Sequence, residues 1–250
     1  MAMASVPVAD GAEVSVAVLD PASGASASYG SGLYETASIV KVDILAVLLL
    51  RAQDAGRAPT AEEEAHAVAM IERSDNDSAS ALWRAIGAAG GLDAGNARFG
   101  LSRTRGGDGP LWGLTQTTAA DQVALLRQVF VADGSELSEA SRAYVGGLMG
   151  RITEGQRWGV SAAADTAGGS GWALKNGWLR RGTTGLWVVN SIGRVTTGGR
   201  DRLVAVLSRG SASRAEGIAL TEAAARAAVS LFRGAVPPGE DGAASGQKSS

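Results

Sequence analysis

The strongest constraint in this sequence is an unbroken apolar run, Ile44-Leu45-Ala46-Val47-Leu48-Leu49-Leu50, entered through Ala37-Ser38-Ile39-Val40-Lys41-Val42-Asp43 and closed by Arg51. A helix through it is apolar on every side, so it belongs inside the protein rather than on its surface. It is too short to cross a membrane, which takes roughly 18 apolar residues, and no other stretch is longer. Thr36 is placed to cap the helix and Gly56 to follow its end. Ser38 then lies in the first turn, with Lys41 three residues on, on the same face. Free backbone N–H groups and the helix dipole favour a negatively charged oxygen there.

A serine hydroxyl needs a base at neutral pH. A lysine buried among apolar side chains loses its preference for the charged form and can accept a proton. Taken alone, Ser-x-x-Lys is common and reads as a capping serine beside a snorkelling lysine. The use of basic residues changes that balance. Of 23 Lys and Arg, only three are lysine: Lys41, Lys175 and Lys248. Lys248 falls in a polar tail, so Lys41 and Lys175 stand in folded territory against a strong arginine bias. Arginine cannot act as a base in a protein, whereas lysine can.

At 250 residues and 45% hydrophobic, the chain is long enough for one large domain or two intimate subdomains. A net charge of −2 gives no basic field for nucleic acid. Cysteine is absent, which excludes disulfides, a cysteine nucleophile and thiolate metal sites. The single histidine, His66, reads as the solvated start of a helix, so neither a histidine metal site nor a Ser–His–Asp triad is expected. Residues 1–7 lack a basic and an apolar leader region, so the chain as read stays in the cytoplasm or has lost a leader.

Strands are expected at 14–19 and 26–29, forming a hairpin, and again at 172–179, 185–195 and 202–208. Between them helices are expected from Ser38 to about 55, from Thr60 to about 72 with Ala65, Val68, Ala69 and Ile71 inward, and over 79–86. Further helices are expected from Thr117 or Thr118 to 130 and from Ser138 to about 150. Residues 87–101 read as a glycine-rich connection with one weak turn, and 102–113 as a loop with a flexible tip at 106–110. Arg73-Ser74-Asp75-Asn76-Asp77 is a polar corner between helices, by itself no more than a capping turn. Ser213 and Glu216 form a capping box for a last helix ending near 231. The fold class is therefore α+β: an antiparallel sheet from both chain ends, flanked by helices, plus an all-helical subdomain. The expected division is an extension over 1–11 and one domain over 12–236. Within it an α/β subdomain takes 12–39 and 165–236 and a helical subdomain 40–164, with a disordered tail over 237–250.

Three elements stand in order: Ser38-x-x-Lys41, Ser74-Asp75-Asn76 and Lys175-Asn176-Gly177. Together they resemble the signature of class A β-lactamases and penicillin-binding proteins, over roughly residues 12–232. Segment 70–79 resembles that family's helix–corner–helix, and 202–207 its arginine-bearing strand. The resemblance implies a three-layer fold and acyl transfer through a Ser38 acyl-enzyme, with Lys41 as base or relay. Ser74 would pass a proton to the leaving nitrogen, tuned by Lys175, and Asn76 would hold a substrate amide and orient Lys41. The backbone N–H groups of Ser38 and Trp178, the latter beside Gly177, would form the oxyanion hole, and Trp178 would line the site. Lys175, Asn176 and Arg202 would meet a substrate carboxylate. The implied partner is a small molecule or peptide, handled by a monomer without cofactor or metal.

Two departures carry consequences. Asn176 replaces the usual Thr or Ser. The loop over 100–118 lacks the glutamate that class A enzymes use to activate the deacylating water; its only carboxylate is Asp108, between glycines. Acylation with slow deacylation is therefore expected. A penicillin-binding peptidase and a silent binding protein of the same fold are the alternatives.

Overall fold

The computed structural model describes residues 2–165 and 171–232; the tail expected over 237–250 lies outside them. Seven strands follow the chain: β1 (Glu13–Leu19), β2 (Ser26–Tyr29), β3 (Tyr34–Glu35), β4 (Gln116–Thr117), β5 (Trp172–Arg180), β6 (Trp187–Thr197) and β7 (Arg200–Ser211). Seven helices complete it: α1 (Val40–Asp54), α2 (Ala61–Glu72), α3 (Asn76–Ala85), α4 (Ala88–Phe99), α5 (Ala119–Phe130), α6 (Glu139–Met149) and α7 (Arg214–Ser230).

Five strands make one antiparallel sheet in the order β2-β1-β7-β6-β5. The chain ends meet in its middle, where β1 pairs with β7 from Glu13↔Arg209 to Leu19↔Leu203. Alternation along each strand divides the sheet into two faces. Val16, Val18, Val204, Val206, Leu174 and Val195 pack with Leu220, Ala224, Ala225 and Val229 of α7. The opposite face carries one row in register, Ala17–Ala205–Ile192–Lys175. Its apolar members join the core built around α1 and α5. The fold is thus α+β, as expected, with helices on both sides of the sheet.

Every residue of α1 from Val40 to Leu50 is buried, as its all-round apolarity requires. The capping residues Thr60, Thr118, Ser138 and Ser213 each accept a backbone N–H three residues on. In α2 the inward residues are Ala67, Ala69, Met70 and Ile71, whereas Ala65 faces solvent.

The region 87–101 departs from expectation. It is a 12-residue helix, α4, bounded by Gly87 and Gly100, both left-handed with φ of 90° and 77°. Two of its three glycines, Gly91 and Gly95, are packing sites. A side chain at Gly95 would collide with Val47 of α1, and one at Gly91 with the Ile86 carbonyl. Glycine costs a helix about 1 kcal/mol relative to alanine, which the close approach to α1 offsets here. The short β3–β4 ribbon was also not foreseen; two-residue strands leave no periodicity to read.

Asp43 is fully buried on α1, and Asn96 of α4, with its amide turned to donate, reaches both carboxyl oxygens at 2.9 and 3.0 Å. Burial pushes its pKa up to about 8; the Asn96 bonds oppose this, and the Asp93 and Asp121 charges add to it. A carboxyl that holds its proton more tightly folded than unfolded contributes a penalty that grows as pH rises from about 4 to about 8. Asp43→Asn should remove it. The variant should melt several degrees above wild type at pH 8 and no higher than wild type at pH 4, in thermal unfolding at both values.

Candidate active site

Ser38 is the middle residue of a 3-10 turn, Ala37–Ile39, placed immediately before α1. The expected Thr36 cap does not form. Thr36 is helical (φ −68°, ψ −30°), and its buried hydroxyl has no partner. Other groups hold the turn. The Thr36 N–H donates to the Thr115 carbonyl at 2.8 Å. The Asn190 amide of β6 donates to the carbonyls of Glu35 (2.8 Å) and Thr36 (3.0 Å). Ala37 is forced to φ 48°, a left-handed conformation costing a residue with a side chain about 1–3 kcal/mol.

Gly177 of β5 presses directly on this turn. A Cβ there would lie 2.6 Å from the Ser38 nitrogen and 2.7 Å from those of Ile39 and the Thr36 oxygen. Only glycine permits that approach. It brings the backbone of Ser38 beside the β5 segment that continues into Trp178.

Lys41 and Lys175 are both buried with no ion-pair partner among the described residues. Lys41 Nζ donates to the Ser74 carbonyl (2.7 Å) and Asn76 Oδ1 (2.8 Å), and lies 3.1 Å from Ser74 Oγ. Lys175 Nζ donates to the same Ser74 Oγ (3.0 Å) and to the Asn176 carbonyl (2.9 Å). One hydroxyl therefore bridges two amines. Ser74 is held there at φ 57°, a second strained residue, while Asp75 caps α3 through Ser78. Burial lowers the Lys41 pKa to about 7, with the Asp75 charge opposing. Burial also drives Lys175 well below its usual value, and the Lys41 charge adds to this. Both amines are therefore shifted toward the neutral form, on either side of one hydroxyl. Such perturbed groups concentrate at functional sites.

The structure gathers Ser38, Lys41, Ser74, Asn76, Lys175 and Gly177. It separates three other residues from them. Asn176 follows Lys175, so its side chain points to the opposite face. Its amide donates to the carbonyls of Gln156 (2.7 Å) and Trp158 (3.0 Å) and has no hydrogen left for a substrate. Asn176 is thus a clamp on the 3-10 turns at Glu154–Gln156 and Gly159–Ala163. Trp178 shares that face, and its ring packs on Trp158 at 5.8 Å rather than entering the cluster; only its backbone is near Ser38. Arg202 lies three residues from Ala205 in β7, hence also on the α7 face. It is buried there near Asp20 (3.6 Å), with its guanidinium over Phe232. It cannot meet a ligand at Ser38.

Sequence reasoning gave no site role to four contributors. Asn190 ties down the Ser38 turn; an amide amid an apolar strand was the available signal. Arg214 opens α7 with its guanidinium 4.2 Å over Trp178, and its buried Nε has no partner. A cation at a helix N-terminus runs against the helix dipole. Trp112 lies over Lys41, its ring centroid 4.9 Å from Nζ, with its indole N–H donating to Ser80 Oγ at 3.1 Å. The expected flexible tip is tied down as well, since Trp83 donates to the Gly109 carbonyl at 2.9 Å. His66 bonds Ser78 at 3.1 Å, not Ser38. Among the described residues no group of His, Asp and Glu could hold a metal ion. No described helix is long and apolar enough to cross a membrane.

The model of the beta-lactamase enzyme family matches residues 54–232. The chain belongs to that family. The match begins beyond Ser38 and Lys41, which rest on the geometry above. Solved structures add the fold. An "Ancestral (GNCA)" class A beta-lactamase is 24% identical, with a TM-score of 0.70, covering 89% of this chain and 95% of its own. A beta-lactamase from Xanthomonas campestris pv. campestris is 21% identical, with a TM-score of 0.72 and coverages of 92% and 94%. A PBP-A mutant solved as an acyl-enzyme complex with penicillin G is 22% identical, with a TM-score of 0.74 and coverages of 89% and 91%. A search of curated proteins finds no match. The family is one of β-lactamase-like serine hydrolases.

Asn176→Thr should free the clamp without touching the lysines. Hydrogen exchange of amides over 154–163 should accelerate at least about tenfold, while amides of α1 keep their rates. Equal protection in both proteins would remove the clamp role.

Proposed function

We propose that this protein is an active-site-serine acyltransferase or hydrolase that forms an acyl-enzyme at Ser38 on an amide or ester carbonyl, β-lactams included. The observation that carries this reading is the pair of buried, unpaired lysines bridged by Ser74 Oγ, one turn from Ser38. Neutral Lys41 takes the Ser38 proton as Oγ attacks the carbonyl. The oxyanion is met by the N–H groups of Ser38 and Trp178, each such donor contributing about 2.7–4 kcal/mol. Ser74 gives its proton to the leaving nitrogen and regains one from Lys41, while the C–N bond breaks. Lys175 holds the Ser74 oxygen from the other side. Asn76 keeps Lys41 in place through Oδ1 and offers its amide to the substrate.

The carboxylate role expected of Asn176 and Arg202 is left to Lys175, which shares the Ser74 side of β5.

Deacylation is the weak step. No carboxylate of the loop over 100–118 contacts Lys41 or Ser74, and Trp112 lies there instead. General-base catalysis is typically worth about 10²–10⁴-fold, and its loss prolongs the acyl-enzyme. This favours penicillin-binding-type chemistry over rapid β-lactam turnover.

Intact-protein mass after incubation with benzylpenicillin, with Ser38→Ala in parallel, is the test. A lasting adduct absent from the variant is expected. Efficient nitrocefin turnover dependent on Ser38 would refute slow deacylation, and inertness to both β-lactams and serine-reactive esters would refute the acyl-enzyme. The acylation rate should rise with pH through about 7, because Lys41 must lose its proton to act as base.

A further inference from the structure

The loop that lacks a base is nevertheless built against the reacting groups. Its 3-10 turn, Trp112–Leu114, packs on the nucleophile turn, with Gly113 facing the Cα of Ala37. The Trp112 carbonyl accepts from the Thr115 N–H at 3.1 Å, and the Thr115 carbonyl accepts from Thr36. At the other end Ser80 Oγ takes the Trp112 indole N–H and donates to the Asn76 carbonyl at 2.9 Å. Asn76 is also the residue whose Oδ1 holds Lys41. The indole is thus fixed to both the Ser38 turn and the Ser74–Asn76 corner, with its face toward Nζ.

We propose that Trp112 is a positioning residue for Lys41: its ring favours the ammonium form electrostatically and closes the loop side of the amine to water, so that this loop sets the pH at which Ser38 becomes reactive. The inference rests on Lys41 being the base. The three oxygen neighbours of Nζ come from Ser74 and Asn76, and the indole face is the apolar group over it. A cation over an indole face is attracted by the ring quadrupole, more strongly when water is excluded. Two other charges bear on Lys41: Asp75, ahead of α3, which favours its proton, and Lys175 of β5, which opposes it. Arg73 acts on Asp75. Among the described residues the loop adds no ion pair to Lys41, so its influence runs through the ring.

The ring has two effects of opposite sign, and substitutions separate them. Trp112→Leu keeps the amine dry but removes the π face, so Lys41 should lose its proton about half to one pH unit lower than in wild type. Trp112→Ala admits water, so the midpoint should rise and the acyl-enzyme should turn over faster. Trp112→Phe keeps a ring and should stay close to wild type, which a merely structural role for the indole N–H would not predict. The readout independent of activity is NMR titration of protein labelled in its three lysines, with Lys175→Arg and Lys248→Arg to assign the Lys41 signal. The second readout is the pH profile of Ser38 acylation in the same variants. Folded Leu and Ala variants that both titrate at the wild-type midpoint would overturn the proposal. If Lys41 shifts as expected but wild type is never acylated, the coupling of Trp112 to Lys41 stands and the acyl-enzyme reading fails.

Discussion

Two lysines buried without a carboxylate are what the rest of this structure accommodates. Taking an ammonium out of water is among the largest penalties a protein can carry, and it is relieved by losing the proton. Lys41 and Lys175 escape part of it by sharing Ser74 Oγ and part by shedding charge. The site therefore holds fewer protons near neutrality than two surface lysines would. On the proposed mechanism that deficit is the chemical resource: an amine that accepts a proton, next to a serine. The surface shows the converse choice. Its cations are almost all arginines, which never titrate in this range.

Strain and glycine supply the geometry around those amines. Ala37 and Ser74 both sit in the left-handed region, one before Ser38 and one carrying the bridging hydroxyl. Neither conformation would persist without surroundings that impose it. At Ala37 Gly177 presses from β5, Asn190 from β6 and Thr115 from the loop; at Ser74 the two lysines hold the hydroxyl. The sheet thus acts as an anvil for the nucleophile turn. The helical side supplies Lys41 from α1 and Ser74 with Asn76 from the start of α3. The clustered groups come from elements far apart in sequence.

How much of this was legible depends on the length scale of each signal. The Ser38–Lys41 pair was readable because three residues of helix place both on one side, and Ser74–Asn76 because small polar residues mark a corner. Capping boxes at Thr60 and Ser213 were readable for the same local reason. The face of a strand residue was not. Asn176, Trp178 and Arg202 were assigned to the site by their nearness in sequence to a motif, yet strand alternation and register turn all three side chains toward α7. Register is decided by pairing across the sheet, which no local pattern states. The glycines of α4 misled in the opposite direction. Composition suggested a loop, whereas the small residues exist to let α4 close on Val47. Trp112 left only a weak signal: a tryptophan in a loop beside an expected cleft reads equally as core packing, and it becomes informative only once the amine beneath it is known.

The scarcity of lysine has a further consequence, for chemical labelling. Lys41 and Lys175 are shielded in the folded protein. An amine-reactive reagent must reach these two through a cleft that has opened. The rate of incorporation at Lys41 and Lys175, followed by peptide mass, is a clock for the separation of the helical side from β5, readable without substrate.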